Sequence, residues 1–64
     1  MDNKELDELE NEIKKSFLEL QQNIQYKIDD EYKKQALMDS AEITNNSLRM
    51  INEMRCKNNE QYNR

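Results

Sequence analysis

Ile28-Asp29-Asp30-Glu31-Tyr32-Lys33-Lys34-Gln35-Ala36-Leu37-Met38-Asp39-Ser40-Ala41-Glu42-Ile43 lies mid-chain, and the place where it breaks decides the fold. It holds two signals for the start of a helix. The stronger is Met38–Ile43. Asp39 can cap a first turn by accepting a backbone N–H, and Glu42 three residues on can reach back to the N–H of Asp39. Met38 and Ile43 stand at the two positions of a hydrophobic staple across that cap. The weaker signal is Asp29-Asp30-Glu31, three acids suited to the positive end of a helix. That signal is ambiguous, because Asp29 with Lys33 and Asp30 with Lys34 also have the i,i+4 spacing of pairs inside a helix. The capping box puts the expected break near 38–39, with 29–31 as the alternative. No glycine follows either site to close the preceding helix, so a bent continuous helix is the third form the chain could take.

The same design opens the chain. Met1-Asp2-Asn3-Lys4-Glu5-Leu6 places an acid cap, a glutamate three residues later and flanking apolar residues in the same order. From there Leu6, Leu9, Ile13, Phe17, Leu20, Ile24 and Ile28 recur at steps of 3, 4, 4, 3, 4 and 4. At about 100° per residue they fall within roughly 60° of one line, a clean helical stripe. The spacing is nearer an 11-residue repeat than a heptad, so little supercoil is required. Glu10 and Lys14 form a favourable i,i+4 pair on its flank.

Beyond the break a broader stripe follows. Ala36, Ser40, Ile43, Ser47, Met50 and Met54 make one edge, and Leu37, Thr44, Leu48 and Ile51 the other. Its centre lies roughly 170° from the first stripe if the helix is unbroken. One straight helix would therefore bury one stripe and expose the other. A reversal buries both, which predicts an all-α antiparallel hairpin of two amphipathic helices, about 3–37 and 40–57. That hairpin is expected to assemble into a bundle with itself or a partner. It would also bring the acids of residues 2–12 toward the bases between Arg49 and Lys57. Residues 58–64 are polar, carry no stripe and are expected to fray.

Composition bounds the rest. The 64 residues contain no glycine and no proline, five isoleucines, one threonine and no valine, which leaves no natural place for a hairpin turn of strands. Apolar residues make up 34% and charged residues 38%, lean for a self-sufficient core in so short a chain. The net charge of −4 argues against a general binder of nucleic acid or anionic membrane. No apolar run approaches a membrane span and the N-terminus is acidic, so neither a transmembrane helix nor a signal peptide is expected. A single cysteine, Cys56, excludes a disulfide framework within one chain and fits a reducing, cytoplasmic setting.

Little in the chain points to catalysis. Histidine, the commonest general base and metal ligand, is missing. Glycine, needed to cradle phosphate, is missing too. No catalytic residue, cofactor or metal ligand is expected. The expected function is helix–helix binding to another protein or to itself, as an adaptor, assembly factor, chaperone subunit or small inhibitor. Leu6, Leu9, Ile13, Phe17, Leu20, Ile24 and Ile28 would form one contact surface. Ile43, Leu48, Met50, Ile51 and Met54 would form the other.

Two antiparallel helices in about sixty residues also resemble, in length and layout, the Rop-type RNA-binding hairpin, whose dimer is a four-helix bundle. That resemblance implies a nucleic-acid-related regulator, with an acidic nucleic-acid mimic as its other form. No basic RNA-facing stripe accompanies it. Ser40-Ala41-Glu42-Ile43-Thr44 is similar to the S-Q-E-L-D motif of the helical-hairpin aspartyl-phosphate phosphatases of sporulation, with Thr44 standing where the motif has its acid. Ser47–Glu53 looks like the first layers of a SNARE helix, over seven residues only.

Overall fold

A computed structural model describes residues 1–62, with side chains described through Asn59. It is an all-α helical hairpin. α1 spans Asn3–Lys27 and α2 spans Asp30–Tyr62, packed side by side. The longer arm sets the long dimension: 33 residues at about 1.5 Å each give about 50 Å, against Cα extents of 52 × 17 × 10 Å. The molecule is thus one layer of helix thick.

α1 begins as its sequence directs. Asp2 is extended at φ −82°, ψ 170°, and its carboxylate accepts the Glu5 backbone N–H at 2.8 Å. The Leu6 N–H bonds the Asp2 carbonyl at 3.0 Å, closing the first turn. Lys27 in the last turn suits the negative end of the helix dipole.

The reversal is at Ile28–Asp29 and not at Met38–Asp39, which corrects the preferred sequence reading in favour of its alternative. Ile28 leaves α1 in an extended conformation, φ −104°, ψ 140°, while its N–H still bonds the Ile24 carbonyl. An extended exit suits a β-branched residue and needs no glycine, and no residue has positive φ among those described. Asp30 and Glu31 then occupy the first turn of α2, where the dipole favours acids, and the Tyr32 N–H bonds the Asp29 carbonyl at 2.9 Å. Asp30 pairs with Lys33 at 2.8 Å, an i,i+3 pair in place of the expected i,i+4 spacing. That bond holds the Asp30 carboxyl below the usual aspartate range.

Asp39 sits inside α2, its carboxylate accepting the side-chain amide of Gln35 one turn back at 2.8 Å. The far end differs from expectation as well. α2 continues through Tyr62, so the helix runs past the expected end at 57; Asn63 and Arg64 lie outside the described residues. The Asn58 amide donates to the Met1 carbonyl at 2.9 Å and to Asn3 Oδ1 at 3.1 Å, tying that turn to the start of α1.

Among the described residues the buried hydrophobic core is Leu6, Ile24 and Ile51. On α2 the half-buried and buried positions include Lys33, Leu37, Ser40, Thr44, Ser47, Ile51, Met54 and Asn58, which alternate steps of four and three. That is a heptad line, filled largely by small or polar side chains. Its two serine hydroxyls fold back on their own helix: Ser40 Oγ donates to the Leu37 carbonyl at 3.0 Å and Ser47 Oγ to the Ile43 carbonyl at 3.1 Å. The interface therefore approaches closely without stranding a polar atom among the described residues.

Candidate helix-binding groove

The two long sides of the hairpin differ in chemistry. On one side Arg55 of α2 reaches across to α1. Its guanidinium bonds Glu10 through Nη2 at 3.0 Å and Nη1 at 3.4 Å, and also pairs with Asp7. Asn52 on its own helix accepts from Nη1 at 3.1 Å and steadies it. The Arg55 bonds hold the Glu10 carboxyl below the usual glutamate range against a partial opposing desolvation, with Lys14 at 3.9 Å adding to the effect. In return, the Glu10 bond pushes the Arg55 guanidinium pKa up. The expected approach of the acidic N-terminal turns to the basic region is realised by Arg55.

On the other side lies an open apolar groove of about 300 Å³. Leu9, Ile13, Phe17 and Leu20 form its α1 wall, and Ile43, Thr44 and Ser47 its α2 wall, with Glu12 and Ser16 at the rim. It exists because the α1 stripe is wider than the line it meets on α2. Leu6 and Ile24 fill the middle of the stripe and are buried, whereas Leu20 is left 45% exposed.

The residues predicted as contact surfaces divide accordingly. Leu6, Ile24 and Ile51 close the hairpin itself. Leu9, Ile13, Phe17, Leu48 and Met54 are half-buried. Leu20 and Ile28 are exposed at one edge of the α1 stripe or at its end, and Ile43 and Met50 are 67% and 61% exposed on α2. Ile43 thus lies on the groove wall, Met50 follows it seven residues on, and neither is in the seam. The seam runs through Ser40, Thr44 and Ser47, which hydropathy alone does not single out.

Cys56 is an exposed free thiol. No described helix is long and apolar enough to cross a membrane. No protein-family model, curated protein or solved structure matches this chain.

Proposed function

We propose that this protein acts by binding, laying the groove side of its hairpin against helices of a protein partner, itself included. The observation that carries the reading is the asymmetry of the two sides: one is closed by Arg55 and acids, the other leaves Ile13, Leu20 and Ile43 around an open trough, with Met50 exposed seven residues beyond Ile43. A one-layer helical sheet with such a trough is half of a packed domain, since stable architectures stack two layers around a core. Adaptor, assembly factor, chaperone subunit and small inhibitor are all forms of this role, and catalysis is no part of it. Its setting in this reading is the cytoplasm.

A photo-crosslinking amino acid placed at Ile43 of the full chain, expressed in its own cells, tests the reading. Discrete protein adducts are expected from Ile43 and none from Tyr26, which is 85% exposed away from the groove. Adducts of equal yield from both positions, or none from either, would overturn it.

A further inference from the structure

We propose that the groove is closed by a second copy of this chain, docked face to face about a two-fold axis parallel to the helices, so that each α1 covers the partner's α2. This deepens the binding reading and rests on it. Three observations support that occupant.

The first is area. A compact monomer of 7.8 kDa is expected to expose about 4,400 Å², whereas this chain exposes 5542 Å². The excess, roughly 1,100 Å², exceeds the roughly 800 Å² that each partner buries in a standard interface. The second is thickness. A layer with a 10 Å Cα extent becomes a two-layer bundle when one copy is stacked on another.

The third is charge, and it selects the arrangement. Glu12 stands on the α1 rim of the groove, with Glu5 and Glu19 seven residues to either side on the same edge. The matching edge of α2 is Ile43, Met50 and Lys57, again at steps of seven. The Arg55 pairings with Asp7 and Glu10 set the levels of the two helices. They put Glu5 level with Lys57, Glu12 with Met50 and Glu19 with Ile43. Among the described residues none of these four charges is in an ion pair. With the axis parallel to the helices, each α1 residue meets the partner's α2 at that same level. Glu5 then faces the partner copy's Lys57, and the two other glutamates flank the partner's apolar edge, as charged residues flank a coiled-coil seam. The other two-fold docking, α1 on α1, sets three glutamates against three glutamates, and like charges across an interface disfavour it.

Sedimentation equilibrium of the full chain at micromolar concentration is expected to give twice 7.8 kDa. Ile43→Asp combined with Met50→Asp should return the mass to one chain, while Tyr26→Asp leaves the dimer. Independently, a Glu5→Cys chain mixed with a Lys57→Cys chain, each also carrying Cys56→Ser, should form a mixed disulfide on oxidation. A Glu12→Cys, Cys56→Ser chain should form none with itself; if it does, α1 packs on α1 and the arrangement is wrong. A dimer that survives the groove substitutions overturns this inference and leaves the binding reading standing, as does a partly unfolded wild-type monomer. A monomer that melts cooperatively overturns both.

Discussion

Asp2 and Asp39 occupy the same local sequence: a methionine before the acid, a glutamate three residues after it and an aliphatic residue after that. Asp2 starts a helix; Asp39 is read through. The difference lies in what each start would do to the rest of the chain. A start at Asp2 leaves Leu6, Ile24 and Ile51 all covered in the hairpin. A start at Asp39 would make the second arm residues 40–62, and at about 1.5 Å per residue in both arms it would reach back only to about residue 17. Leu6, fully buried in the observed hairpin, would lose its cover, and Leu9 and Ile13 with it. Burying a leucine or isoleucine contributes about 1.5–3 kcal/mol, whereas a cap contributes about 1 kcal/mol. Leu6 alone outweighs the box. A local signal therefore decides a boundary only where the long-range packing is indifferent to it.

Proline is the most forceful way to break this comparison. It is favoured at the first residue after a cap, where the missing N–H has no helical partner, and costs about 3 kcal/mol or more inside a helix. Asn3→Pro should therefore be tolerated, with only the loss of the Asn3 side-chain contacts to Asn58 and Asn59. Ser40→Pro should destabilise the chain by about 3 kcal/mol or more. Urea unfolding followed by circular dichroism measures both. Similar midpoints for the two variants would mean that Asp39 does begin a helix in solution.

Removing the caps gives a smaller and cleaner contrast. Asp2→Ala should cost about 0.5–2 kcal/mol, since its carboxylate holds the Glu5 N–H. Asp39→Ala removes only an exposed bond from Gln35 and should stay within about 0.5 kcal/mol of wild type. A loss at Asp39 equal to that at Asp2 would show that its capping potential is in use.

The same contrast explains how far the residues could be read. The all-α class follows from the absence of glycine and proline, and the hairpin from the opposed phases of two stripes. Leu6, Ile24 and Ile51 were legible as core because they stand near the centre of those stripes. The turn was legible only as the weaker of two signals, the acids at 29–31, because Ile28 reverses the chain as an ordinary extended residue with no glycine to mark it. The seam of α2 was legible only in part: Ser40, Thr44 and Ser47 pack there because they are small, and the two serines bond their own backbone, a role that hydropathy cannot flag. This moved Ile43 to the groove wall and left Met50 exposed beyond it. Asn58 reads as a poor helix former, and its helix is held by Met1 and Asn3, partners that become visible only once the register is known.

Arg55 provides the smallest effect and a specific reporter of that register. With a break at Asp39, Glu10 would lie beyond the reach of the second arm, so the Arg55–Glu10 contact exists only if the chain turns at Ile28–Asp29. Glu10 is held below the ordinary glutamate value of about 4.3 by its bonds from Arg55. A carboxyl whose folded pKa is depressed contributes stability that is present above its unfolded pKa and lost as pH falls through the folded one. Asp30, depressed by Lys33, acts with the same sign. The two differ in range: Lys33 is one turn from Asp30 and can approach it in residual helix, whereas Arg55 meets Glu10 only across the closed hairpin. Arg55→Met should therefore flatten the fall of the urea midpoint between about pH 5 and pH 2 more than Lys33→Met does. Salt should shrink the difference, because both pairs are solvent-accessible and screened. Equal flattening by the two variants, or none from Arg55→Met, would mean that the long-range pair is not formed and that the turn lies elsewhere.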